Sequence, residues 1–336
     1  MKPLNTRRSA LQFGLQATGA LAAASAFPGL LSQAYAQPAW PSKPIRLLVP
    51  FAPGGSSEIV ARSAANELTK SLGQTVFVEN KPGASGNIAM QECAASTDGH
   101  TLILGHIGTL AVNPYIFDKL PFDTNRDFKP ISLLAKVPSL YVVNANVPAN
   151  NLKEFIALAK AKPGQLNYGS AGNGSAGHLA FEYLKMATGI FVLHVPYRGT
   201  GPQLTDLLAG RLEAASVGAP AILGHIKSGK LRCIATGTKE RLPQLPEVPT
   251  VAESGYPGFE MTQWYGLNAP SNMPQAHIDR IAEACGKAMR NPQATERLRG
   301  DTAQPVGDTP AQYGAFIKTE QARWKQVVAR ASIKPD

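Results

Sequence analysis

Apolar residues in this chain gather in short unbroken runs, each cut by a glycine turn and followed by helix-spaced apolar positions. Residues 45–51 are apolar apart from Arg46, the pattern of a strand buried on both faces. The run breaks at Pro53-Gly54-Gly55, and an amphipathic helix starts near Ser57. A second strand over 75–78 gives way to a turn over 80–86 and a helix over 87–95. A third over 101–104 enters Gly105-His106-Ile107-Gly108-Thr109 and a helical stretch ending near Asn113-Pro114. Strand, glycine loop and helix thus alternate, the pattern of an α/β fold with a mostly parallel sheet flanked by helices.

The alternation resumes with a strand over 140–143, a helix over 152–161 and a strand over 166–168. The loop 169–177, rich in glycine and serine, precedes His178 and a helix to Met186. A strand over 192–195, a turn over 197–202 and a helix carrying Asp206 follow, with further strands over 212–217 and 231–236. A proline-rich connector over 242–249 leads to an apolar, aromatic segment at 262–267. Two short helices and a long one, about 310–330, finish the chain. At 336 residues the chain suits two domains with separate cores. We expect residues 37–138 with 262–336 as one, residues 139–261 as the other, and crossings near 138–142 and 264–267. Ligands of such sheets bind outside the carboxyl ends of the strands, which places the glycine loops in a cleft between the two domains.

Each strand–turn–helix junction leaves backbone N–H groups unpaired where the helix dipole is positive, a ready anion site. One such turn alone reads better as a plain connection; its recurrence argues for binding. Charge is compatible with an anionic ligand. Without its first 36 residues, which hold Lys2, Arg7 and Arg8 and no acid, the chain has 30 basic against 23 acidic residues. No dense Lys/Arg stripe with interleaved aromatics marks a nucleic-acid binder. Residues 1–36 read as an export signal: Arg7-Arg8, a Gly- and Ala-rich apolar stretch, then Ala34-Tyr35-Ala36 ahead of a mature start at Gln37. The paired arginines suggest the twin-arginine route to the periplasm. Ala10 and Gln12 depart from that pattern, so Sec export stays open. Cys93, Cys233 and Cys285 form no disulfide framework; inert buried thiols are expected, with one bridge possible.

Several motifs together resemble the substrate-binding receptors of tripartite tricarboxylate transporters, the Bug proteins. They are Pro50-Phe-Ala-Pro-Gly-Gly55, Glu79-Asn-Lys-Pro-Gly-Ala-Ser-Gly86, Tyr168-Gly-Ser-Ala-Gly-Asn-Gly174, Val195-Pro-Tyr-Arg-Gly-Thr-Gly-Pro202 and Pro246-Glu-Val-Pro-Thr-Val-Ala-Glu253. The likeness covers essentially the whole mature chain. It implies a two-domain periplasmic binding protein of type II that holds a di- or tricarboxylate, amino acid or aromatic acid. Delivery would be to the membrane subunits of such a transporter, with a sensor as an alternative partner. A monomer with no cofactor and no metal is implied. The family's binding loops fall here on Pro53, Gly54, Gly55, Ser56 and Ser57; on Ser85, Gly86 and Asn87; and on His106, Ile107, Gly108 and Thr109. The second domain adds Ser170, Gly172, Gly174 and Ser175, then Tyr197, Arg198 and Gly199. Backbone amides and hydroxyls in these loops would hold a ligand carboxylate. Two residues depart from the family pattern: Glu58 stands for an Asp, and His106 for a small hydroxyl or glycine. His106 either meets the ligand or packs. Arg198 either balances ligand charge or, the reading we favour, pairs with an acid. Trp264 and Tyr265 are expected in hinge packing.

Enzyme readings compete less well. Gly172, Gly174 and Gly177 satisfy G-x-G-x-x-G after a strand, the mark of an NAD(P) site, yet no acid follows at ribose distance. A hydrolase lacks the G-x-S-x-G elbow, and Ser175 with His178 is poor geometry for a nucleophile and base. His178 is expected to cap or pack, and Asp206 to be structural.

Overall fold

The computed structural model describes residues 40–331 and 333. The expected leader, its cleavage site and the start at Gln37 lie outside the described residues. The chain enters with β1 (Ile45–Val49), α1 (Ser56–Leu72), β2 (Val76–Asn80), α2 (Asn87–Ala95) and β3 (Thr101–His106). A π-helical turn (Ile107–Val112) and α3 (Asn113–Ile116) lead to the long β4 (Phe128–Asn144). Next come α4 (Leu152–Ala161), β5 (Asn167–Ser170), α5 (Ala176–Thr188), β6 (Leu193–Pro196) and α6 (Thr200–Leu208). The chain continues with β7 (Ala214–Gly218), α7 (Ala219–Lys227), β8 (Leu231–Thr236) and β9 (Thr262–Pro270). It closes with α8 (Gln275–Arg290), α9 (Pro292–Gly300), β10 (Gln304–Pro305) and α10 (Pro310–Ala331).

Two mixed sheets share β4. In the first, β2, β1 and β3 run parallel, and β9 adds antiparallel to β3 and to the first part of β4. In the second, β6, β5 and β7 run parallel, and the last part of β4 lies antiparallel between β7 and β8. Each sheet therefore has a parallel half and an antiparallel half. β4 changes sheets between Pro138, opposite Thr262, and Ser139, opposite Gly218. The chain returns where Gly237 donates to the Ser139 carbonyl and Met261 donates to that of Gly237. The expected return at 264–267 is thus corrected: those residues sit inside β9, paired to β4 and, from Tyr265 on, also to β3, and the crossing is complete by Thr262.

Local sequence explains most elements. Ile45, Leu47, Leu48 and Val49 are fully buried, as a central parallel strand requires. Arg46 is tolerated there because it pairs with Glu92 of α2 at 2.7 Å and Glu79 of β2 at 3.4 Å. α1 buries Val60, Ala61, Ala64, Ala65, Leu68 and Leu72, one stripe at helical spacing. The first part of β4 was not apparent from the sequence, since Lys129, Pro130, Lys136 and Pro138 interrupt its apolar run. The structure absorbs them with register shifts beside Pro130 and after Leu133. α7 was also missed, although Pro220 at its second position is a helix-start signal.

The cores are not separate as expected. One apolar cluster fills the first sheet and another the second, but the largest runs from Leu48 and Ile103 through Tyr141 and Phe181 to Trp324. α10 helps join it: Glu320 accepts from Trp264 Nε1 at 2.8 Å and from Trp324 Nε1 at 3.2 Å. The three cysteines are free and buried. Burial pushes the Cys233 and Cys285 thiols up to about 12.

Gly266 of β9 lies flat against the Tyr313 ring, so a Cβ there would enter the ring's own space. Gly266→Ala should cost about 1–3 kcal/mol through forced repacking. Urea unfolding with an unchanged m-value would measure it; an unaltered midpoint would show that the ring moves freely.

Candidate ligand-binding site

The carboxyl ends of β1, β3, β5 and β7 face one another across the line where the sheets meet. Here the β1–α1 loop and the β6–α6 loop touch backbone to backbone. Ala52 N donates to Arg198 O at 3.2 Å. A Cβ on Gly54, whose φ is +96°, would sit 3.1 Å from Gly201 Cα, and one on Gly55 would sit 2.8 Å from Thr200 Oγ1. A Cβ on Gly201 would overlap the Pro53 carbonyl. Only glycines permit this approach. Similarly, a Cβ on Gly108 of the first half would collide with the Gly174 carbonyl of the second.

Behind the loops lies an inner chamber, closed down to a cavity of about 30 Å³, walled by Phe51, Ile107, Val217, Trp264 and Tyr265. Its polar groups are Ser56, Ser57, His106, Ser175, Thr200, Gln203, Ser216 and Gln263. Among the described residues no Asp, Glu, Lys or Arg lines it. α1, α5 and α6 all begin at this chamber, and α1 and α6 have no side-chain cap. Ser56 (3% exposed), His106 (2%) and Ser216 (1%) each carry a buried polar atom with no hydrogen-bond partner among the described residues. Those atoms are Ser56 Oγ, His106 Nε2 and Ser216 Oγ.

His106 is held from behind. Its Nδ1 accepts from Gly108 N at 2.6 Å and Thr109 N at 3.3 Å, and its ring stacks on Phe51 at 4.5 Å. Both histidine readings meet here, for the ring packs and also faces the chamber. Trp264 likewise combines the expected packing, 1% exposed and bonded to Glu320, with a place in the chamber wall.

An outer cleft of about 390 Å³ adjoins the chamber through Phe51 and Ala171. Ser85, Gly86, Gly172, Tyr197 and Arg198 line it, with Pro50, Phe117 and Asn173. Tyr197 donates to Asp206 at 2.7 Å, which gives Asp206 the structural role expected. The favoured acid partner for Arg198 is corrected: it is exposed and forms no ion pair among the described residues.

The structure brings Ser56, Ser57, His106, Ile107 and Ser175 to the chamber, and five loop residues to the outer cleft. Pro53, Gly54, Gly55, Asn87, Gly108, Thr109, Ser170, Gly174 and Gly199 line neither space. Several of their amides are already engaged. Gly54 N donates to Glu58 at 2.7 Å, so that acid holds the first loop from within. Gly172 N donates to Ser170 Oγ at 3.1 Å and Gly174 N to His178 Nδ1 at 3.0 Å. His178 is thereby a loop support, stacked on His194 at 4.2 Å. Sequence reasoning missed Phe51, Gln203, Ser216 and Gln263. Ser216 was findable as the lone hydroxyl in an apolar strand ahead of Gly218, one more strand–glycine–helix junction.

Burial pushes the His106 imidazole down to about 3 and that of His178 to about 4. An unfolded histidine takes up a proton near 6.5, about 1.4 kcal/mol per pH unit below that point. Stability should therefore fall as pH drops from about 6.5 toward 4, because the unfolded chain binds protons that the folded chain refuses. Urea unfolding between pH 7 and 4.5 should show a shallower loss, by about one proton, in His106→Phe. Parallel curves would mean that His106 titrates normally.

Comparison with known proteins agrees with this architecture. Residues 60–333 match the family model described as the tripartite tricarboxylate transporter family receptor. Protein BugT of Bordetella pertussis is 36% identical over 88% of this chain and 91% of its own length. Among solved structures, the R. palustris protein Rpa4515 with adipate is 34% identical with a TM-score of 0.86, covering 88% of this chain and 100% of that one. The periplasmic binding protein BugD is 32% identical with a TM-score of 0.85, over 88% and 100% respectively. The chain belongs to the tripartite tricarboxylate transporter receptor family.

Proposed function

We propose that this chain is a periplasmic receptor that captures one small carboxylate in the inner chamber and delivers it to the membrane subunits of a tripartite transporter. The observation that carries the reading is the chamber itself: helix N-termini and unpartnered hydrogen-bonding side chains, with no charged residue among them. Such a site balances a negative charge by dipoles and directed N–H and O–H groups. Charge-assisted bonds of about 1.5–3 kcal/mol each, net of ordering and desolvation, suffice for micromolar affinity. The adipate held by one relative is a ligand of this chemical class. A dinucleotide reading has less support, since the first two glycines of its motif donate to Ser170 and His178 within their own half.

In this reading residues 37–138 with 262–336 and residues 139–261 act as lobes that close on the ligand, the monomer being the working unit. The glycine contact between Pro53–Gly54 and Gly201 is then the closed state's latch. Export by the twin-arginine route follows from Arg7-Arg8 and belongs to the same proposal.

Thermal shift of the mature protein against adipate, succinate, citrate, glutamate, benzoate and NADP tests the ligand class. A ligand at a hundredfold excess over its Kd should add about 2.7 kcal/mol of stability. Stabilisation by NADP alone would overturn the reading. Gly201→Val, which sets a side chain against the Pro53 carbonyl, should weaken acid binding at least a hundredfold with the fold intact. Small-angle scattering should then show no ligand-induced compaction; normal compaction would remove the latch.

A further inference from the structure

We propose that His106 is a specificity-determining residue whose Nε2–H, together with the hydroxyls of Ser56 and Ser216, selects a ligand carboxylate over the corresponding amide or an ammonium group. The inference deepens the receptor reading and rests on it. The imidazole has one arrangement open to it. Two backbone N–H groups, from Gly108 and Thr109, point at Nδ1, so that atom must hold a lone pair. A proton there would face two donors. The ring proton therefore sits on Nε2, which is buried, unpartnered and part of the chamber wall. Nε2–H can only donate. Stacking on Phe51 and the T-shaped contact with Tyr265 at 6.5 Å hold the ring in place.

Ser56 and Ser216 supply two more unpartnered O–H groups from the facing halves of the molecule. A carboxylate offers about four lone-pair sites and can accept from all three groups at once. A primary amide turns one of its two ends into a donor; a serine hydroxyl can rotate to accept from it, but His106 Nε2–H cannot, so that end is refused at His106. An ammonium brings only donors and opposes both His106 and the positive end of α1. Losing the match leaves buried groups unpaired, the asymmetry that makes such sites discriminate strongly.

The test begins without ligand. Long-range nitrogen–proton correlation of the free protein should show the His106 ring protonated on Nε2 and bare on Nδ1; the opposite tautomer overturns the proposal. Calorimetry then compares adipate, succinate and benzoate with adipamate, succinamate and benzamide. For the tightest acid, wild type should prefer the carboxylate. His106→Phe, which keeps the stack on Phe51, should lose about 10- to 150-fold in acid affinity. Its acid-to-amide ratio should also shrink. His106→Gln, which restores a donor, should recover part of both. Equal affinities in wild type and His106→Phe would overturn the inference while leaving the receptor reading standing. Failure of wild type to bind any of the three acids would count against both.

Discussion

Strand β4 belongs to two sheets at once, and the remaining architecture follows from that shared strand. Its first part pairs with β9 and its last part with β7 and β8, so the parallel halves of both sheets are carried outward from a common seam. The carboxyl ends of β1 and β3 are thereby set opposite those of β5 and β7. Helices that begin there converge on one space without any long loop reaching across. The change of sheet at Pro138–Ser139 is marked by sequence only as a proline in an apolar stretch, yet it determines where the chamber lies.

Much of the fold was legible because parallel strands buried on both faces leave continuous apolar runs. β1, β8, α2 and α4 stand nearly where periodicity puts them. β4 was half hidden because lysines and prolines in its first part imitate a connector, and only pairing on both sides reveals a strand. The mixed character of each sheet was likewise invisible, since strand direction depends on partners distant in the chain. The glycine loops were legible as loops, but the contacts between them were not. Glycine suggests a backbone that approaches a ligand; here Gly54 and Gly201 bring one backbone against another.

That displacement changes where specificity resides. The amides of Gly54, Gly108, Thr109, Gly172 and Gly174 are consumed by Glu58, His106, Ser170 and His178. These side chains fix loop shape from within. In the proposed reading recognition passes to Ser56, His106 and Ser216, which line the chamber and carry atoms without a partner among the described residues. A backbone-led site would hide its preference in loop curvature. A site led by side chains exposes it to single substitutions.

The chamber walls also hold no group that changes charge over ordinary conditions. Burial keeps His106 neutral down to about 3 and raises the Tyr265 phenol far above its usual range. Acidity outside the cell cannot loosen such a grip by protonating it. On the receptor reading proposed above, release would come from parting the two halves, not from titrating the chamber walls.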